Sequence, residues 1–201
     1  MRSNPQELAE QWIRFTQGDE TAFAALFRTF HPYLYRYGHR LTWNEELTRD
    51  CIQVVFMNLW TRRENLPAVT QVRPYLFRAL RNEVLKRHQQ GRRAGSLHDE
   101  YTATEADVVF SAEELVTQAE AFQMKKEALA EALNHLSKRE REVVYLHYYE
   151  NLTYREIAGI LSIHYQSVLN CLHLAFRKLR SNATLRRVVD LSLPLLAYLV
   201  S

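Results

Sequence analysis

Two sets of side chains in this sequence have the types and spacing to read nucleic acid. Gln166, Asn170, His173 and Arg177 recur at i, i+4, i+7 and i+11, so on a helix of 3.6 residues per turn they share one face, and all four are polar. The amides of Gln and Asn can pair bidentately with adenine in the major groove, each good pair discriminating by about 1–3 kcal/mol. Arg177, Lys178 and Arg180 follow towards the phosphates. The second set lies in VRPYLFRALRNEVLKRHQQGRR, where Arg78, Arg81, Asn82 and Lys86 occupy one half of a helical wheel beside Tyr75 and Phe77. Cations that track a backbone, with aromatic faces that stack unpaired bases for about 1–3 kcal/mol each, suit a single strand. Catalysis has no comparable signature. The sequence contains no G-x-x-x-x-G-K, G-x-G-x-x-G, H-E-x-x-H or C-x-x-C, and of the dispersed histidines His31, His39, His135 and His147 read as cap, core or surface residues. No enzyme activity, cofactor or metal is expected.

Both faces require helices behind them, and the composition supplies little else. The chain has 201 residues, 47% hydrophobic and 24% charged, which leaves room for one large or two small domains. Five Gly and five Pro are too few for the frequent turns of an all-β sandwich or barrel, so the expected class is all-α. Cys51 and Cys171 have neither the number nor the spacing of a disulfide framework or a metal knuckle, which suits a reducing cytosol. MRSNPQELAEQW has no apolar run behind its charges, so no secretory signal is expected. The apolar tail from Val188 to Val200 is shorter than the ~20 residues of a membrane span and is interrupted by Asp190 and Pro194. The expected location is therefore the cytoplasm.

Periodicity and caps predict helices near 5–16, 19–41, 44–63, 73–89, 112–135, 138–149, 154–161 and 165–180. Asn4 with Pro5 and Glu7 marks the first start, and Ser111/Glu114, Ser137/Glu140 and Thr153/Glu156 repeat the Ser/Thr-x-x-Glu box. The run VVYLHYY could pass for a strand but has no partner strand. Pro32 is expected to interrupt the second helix, with Arg28, Arg36 and Arg40 carrying snorkelling heads. In the third, Cys51, Val55 and Leu59 line one side while Asp50, Gln53 and Met57 line another that Trp60 closes. The fourth has a Leu76, Leu80, Val84 stripe and is expected to fray or bend at Arg87. The last two, separated by Ser162-Ile163-His164, have the lengths and short turn of a helix-turn-helix, with Val168, Leu172, Ala175 and Leu179 as the packing stripe.

Charge divides the chain in three. Residues 1–95 carry 15 Lys+Arg against 9 Asp+Glu, residues 96–123 none against 7, and residues 124–201 11 against 7. The acidic part, with GRRAGSLHDEYTATEADVVF at its start, reads as a flexible linker between two small helical domains. The expected division is a domain over 1–92, a linker over 93–111, a helix-turn-helix domain over 112–183, and an apolar tail over 184–201.

LSKREREVVYLHYYENLTYREIAGILSIHYQSVLNCLHLAFRKLR resembles the carboxy-terminal DNA-binding region of bacterial RNA polymerase sigma factors, in particular the extracytoplasmic-function (ECF) class. The resemblance implies that this domain reads the minus-thirty-five element through Tyr154, Arg155, Gln166, Ser167, Asn170, His173, Arg177 and Lys178. The stretch around RDCIQVVFMNLWTRR is similar to the family's D-x-x-Q-x-x-F-x-x-x-W helix, which implies docking on core polymerase through Asp50, Gln53, Phe56 and Trp60, with Phe56 nearer the interior. Tyr75-Leu76-Phe77-Arg78-Ala79-Leu80-Arg81-Asn82 resembles the segment that melts and holds the minus-ten element, which implies contacts from Tyr75, Phe77, Arg78, Arg81, Asn82 and Lys86. Ser162 stands where the family often has glycine, Leu169 and Cys171 where it often has basic residues, and Glu83 and Lys86 also depart from the pattern. The implied partners are the β′ and β subunits of core polymerase, promoter DNA and an anti-sigma factor, which the family often has at the membrane. The implied connector threads the polymerase's nucleic-acid channel, its seven acids standing in for RNA. A stand-alone helix-turn-helix regulator is the alternative, although such a protein has no use for a second basic domain with a docking helix.

Overall fold

The computed structural model describes residues 5–95, 107–110 and 123–183, and the chain divides into two compact units, 1–104 and 105–201. In the first unit α1 (Pro5–Thr16), α2 (Glu20–Thr42), α3 (Glu45–Thr61) and α4 (Val72–Gly95) pack around α2, with a 3-10 turn at Arg63–Asn65. The Asp19 carboxylate caps α2 by accepting from the backbone N–H groups of Thr21 and Ala22 at 2.8 and 3.0 Å. Hydrogen bonds from the Thr21 hydroxyl, the Ala22 amide and Arg14 hold its carboxyl well below the usual carboxylate range. Asn44 caps α3 in the same way, accepting from Leu47 at 2.9 Å.

Helix α2 continues without a break through Pro32, contrary to the expected interruption. Its buried row of Leu26, Phe30, Leu34, Tyr37 and Leu41 continues on both sides of the proline. Pro32 and Arg28 are exposed, so water can replace the N–H that the Arg28 carbonyl loses. Arg40 does not snorkel to the surface but is buried. Where α2 crosses α3 and α4, a Cβ on Gly38 would meet Thr48 at 3.0 Å and Leu80 at 3.3 Å, so glycine permits the close approach.

The second unit contains α5 (Gln123–Asn134), α6 (Lys138–Val144) running into a π-helical turn at Tyr145–Tyr149, α7 (Tyr154–Leu161) and α8 (Tyr165–Ser181). Both capping boxes within the described residues form. Ser137 and Glu140 close reciprocally at the start of α6, and Thr153 and Glu156 at the start of α7. VVYLHYY is helical, its second half widened so that Tyr145 and Tyr149 stack with ring centroids 5.4 Å apart. Ile157, Ile160 and Leu161 of α7 and Val168, Leu172, Ala175 and Leu179 of α8 are buried together with Val143 and Leu146. Between α7 and α8, Ser162 adopts φ 54°, ψ 46°, the left-handed conformation that glycine usually supplies, and His164 starts α8 without a side-chain cap. The boxes expected at Asn4/Glu7 and Ser111/Glu114 and the tail beyond 183 lie wholly or partly outside the described residues. No described helix is long and apolar enough to cross a membrane.

Candidate functional site

Helix α8 presents the polar face its spacing predicts. Gln166, Asn170, His173 and Arg177 are exposed on the side opposite the buried stripe, and Gln166 Nε2 donates to Asn170 Oδ1 at 3.3 Å. The two amides therefore form one connected pair that can exchange partners with a base edge at little desolvation cost. Arg155 is exposed on α7. Tyr154 and Ser167 are half-buried, the Tyr154 ring lying 4.7 Å from His147 and 6.2 Å from Tyr165. Leu169 and Cys171 are half-buried flanks and add no charge.

Lys178, its side chain 48% exposed, also takes part in an ion pair within the unit. It reaches back 38 residues in sequence, and its ammonium donates to Glu140 Oε2 at 2.8 Å, where the Glu140 side chain is only 5% exposed. Burial opposes ionisation of Glu140. The Lys178 ammonium and hydrogen bonds from Ser137 outweigh it, and its carboxyl sits below the usual carboxylate range. Lys178 thus links α6 and α8 while its side chain stays about half exposed.

In α4 the structure divides the expected set. Arg78, Asn82 and Lys86 are exposed at i, i+4 and i+8, a single line of polar heads. Phe77 is fully buried and stacks on Tyr37 with centroids 5.1 Å apart, and Arg81 is 4% exposed, so neither presents its side chain to a strand. Tyr75 is half-buried, its ring edge-on to Trp12 at 5.1 Å, and burial pushes its hydroxyl pKa up. Arg87, expected to end the helix, instead donates to the buried Glu83 carboxylate at 3.1 Å, with Lys86 3.6 Å from the same group. The apolar position is tolerated because the guanidinium is neutralised within the helix, and α4 continues to Gly95.

Of the residues expected to dock polymerase, Gln53, Phe56 and Trp60 line an open groove of about 520 Å³ between α2 and α3. Phe56, 4% exposed, lies on its inner side, its ring 4.9 Å from Phe27 and 5.9 Å from Phe23. Trp60 lies 5.0 Å from Phe23, and the Arg63 guanidinium sits 4.7 Å over the indole while donating to the Trp60 carbonyl at 2.9 Å. Arg49, Ile52, Gln53, the exposed Met57 and Thr61 complete the α3 side. Asp50 is exposed but does not line the groove. The α2 contribution, Phe23, Phe27 and His31, was not anticipated, although its i, i+4, i+8 spacing was visible in the sequence. A largely aromatic and apolar concavity with Gln53, Arg49 and His31 as polar lining has the composition of surfaces on which proteins dock. Among the described residues no cluster of His, Cys, Asp and Glu could hold a metal ion.

Residues 26–94 match the family described as sigma-70 region 2, and residues 126–179 match sigma-70, region 4. The RNA polymerase sigma-F factor of Bacillus licheniformis is 31% identical over 98 residues, 49% of this chain and 38% of that protein, so the chain spans well under half the length of that relative. The ECF RNA polymerase sigma factor RpoE of Cereibacter sphaeroides is 25% identical over 171 residues, 82% of this chain and 87% of that protein. Among solved structures, sigma factor RpoE of Bartonella quintana, in complex with the anti-sigma factor NepR, superposes with a TM-score of 0.58 at 19% identity, covering 85% of this chain and 98% of that one; this likeness shows the fold. With both characteristic regions matched in order over more than half its length, the chain belongs to the sigma-70 family as a member of its ECF class.

Proposed function

We propose that the chain binds core RNA polymerase and directs transcription initiation at promoters that carry two recognition elements. The observation that carries this reading is the aromatic groove of Phe23, Phe27, Phe56 and Trp60 with Gln53 in its lining, in a chain that also carries a helix-turn-helix. A stand-alone regulator needs only the helix-turn-helix. A polymerase subunit also needs a surface for the enzyme, and the groove supplies one.

On this reading α8 lies in the major groove of the upstream element, with Gln166 and Asn170 reading base edges and Arg155 and Arg177 on phosphates. Arg78, Asn82 and Lys86 follow the backbone of the melted downstream element, with Tyr75 at their start. Each unit alone binds weakly and salt-sensitively, and their joint attachment to polymerase makes the second contact intramolecular. The protein has no catalytic role of its own and works in the cytoplasm, where polymerase and chromosome are. An anti-sigma protein is the further partner, by analogy with the NepR complex of its structural relative.

Gel filtration of the chain with core polymerase tests the reading. The native protein co-elutes and supports run-off transcripts from a cognate promoter, whereas Gln53→Ala with Trp60→Ala abolishes co-elution while unit 1 still melts cooperatively. Undiminished co-elution of that variant would remove the groove from the interface.

A further inference from the structure

The segment expected to be a free linker up to residue 111 ends earlier, in a built contact. Val108 is fully buried and Phe110 is 2% exposed. The Phe110 backbone N–H donates to Asn134 Oδ1 at 2.9 Å, and Asn134 Nδ2 donates back to the Phe110 carbonyl at 2.9 Å, so one side-chain amide satisfies both backbone groups. The Phe110 ring packs 5.6 Å from Tyr149 and 6.4 Å from Tyr145. Asp107 pairs with Arg141 and lies 3.2 Å from Lys138, and Arg141 also donates to the Asn134 carbonyl at 2.8 Å. Asp107 is the one of the seven acids that the structure describes, and it is already neutralised. Residues 107–110 thus belong to the second unit, gripped at the corner between α5 and α6.

We propose that this grip is a clasp that sets the reach between the two DNA-contacting units, and so the distance between promoter elements that the protein accepts. The inference rests on the reading of the chain as a promoter-selecting subunit. With the clasp closed, the connection from the end of α4 at Gly95 to the second unit is residues 96–106, 11 in number; released, it is residues 96–122, or 27, up to the start of α5. At 3.3–3.6 Å per residue the closed connection spans at most roughly 40 Å, and release adds up to the 16 residues 107–122 to it. One base-pair step is about 3.4 Å, so each connector residue is worth at most about one base pair of reach. Effective concentration falls with about the 3/2 power of connector length, about fourfold for a flexible connection that grows from 11 to 27 residues. Asp107, Phe110, Asn134 and Arg141 are therefore positioning residues for promoter spacing without touching DNA.

The placement of an insertion tests this. A Gly/Ser segment of about sixteen residues placed after Ala103 lengthens the connection from 11 to 27 residues, whereas the same segment after Thr117 lies in sequence between the clasp and α5. Transcripts are made by core polymerase with the full chain on promoters whose element spacing is changed one base pair at a time. The insertion after Ala103 should lower output at the best spacing about fourfold and broaden the tolerated range. The insertion after Thr117 should leave the profile unchanged, and should become active once Asp107→Ala and Asn134→Ala open the clasp. Equal effects of the two insertions, or none from either, overturn the inference even where the unaltered chain initiates normally. If the unaltered chain starts no transcript, the reading beneath the inference falls and takes the inference with it.

Discussion

Helices α4 and α8 carry similar amphipathic patterns, yet the structure treats their polar halves differently. On α8 Gln166, Asn170, His173 and Arg177 are exposed, Ser167 is half-buried, and every residue of the opposite stripe is buried. On α4 two of the six expected contacts, Phe77 and Arg81, lie in the interior. The reason is the number of neighbours. Helix α8 rests on α6 and α7 along one side, whereas α4 is packed by α1, α2 and α3 and is covered over a much wider arc. A wheel drawn from one helix assumes a single packing direction and is informative only where that assumption holds.

The contrast is most severely tested at Phe77. Phe77→Ala should destabilise unit 1 by about 3–5 kcal/mol, read by denaturant unfolding, because it empties a fully buried site against Tyr37. Unchanged stability with lost promoter melting would return Phe77 to the strand-binding surface and break the comparison. Lys178→Ala comes next. It leaves the Glu140 carboxylate buried without its cation, at about 1–3 kcal/mol, seen in thermal melting of unit 2, whereas a DNA-facing lysine would leave melting unchanged. The same pair fixes the acid response. The folded carboxyl titrates below its unfolded value, so its stabilisation is complete above the ordinary carboxylate range and is lost as pH falls through the folded value. Lys178→Ala should flatten the stability profile in that window.

At the exposed face the expected effect falls on recognition and not on folding. Asn170→Ala should relax discrimination at one base position by about 1–3 kcal/mol with an unaltered melting curve, and Arg177→Ala should weaken all sequences evenly and lower the salt slope by about one. A change in melting from either would show that α8 is not the one-sided helix described here. The smallest effect is expected at the turn. Ser162→Gly relieves a left-handed serine and should stabilise unit 2 by about 1 kcal/mol, raising its midpoint by about 4–8 °C. No gain would mean that the serine is already accommodated without strain.

Local rules were legible in the chain because they act over a few residues. The capping boxes at Ser137 and Thr153, the ends of α1 and α7, and the alternation of buried and exposed positions along α3 and α8 follow from nearest neighbours and helical period, and they appear where those rules place them. What depended on partners far along the chain was not legible. Pro32 is held within a continuous helix by burial on both sides of it, and Glu83 holds Arg87 in a helix that periodicity would have ended. Lys178 is claimed by Glu140, and Phe110 by Asn134. Only folding brought Phe23 and Phe27 of α2 against Phe56 and Trp60 of α3 to make a groove. The amino-acid order alone determined which helices form and which faces are polar, because those are properties of one turn and the next. The tertiary structure decided which polar residues remain free to act, because burial and ion pairing depend on what a neighbouring helix brings to the same place.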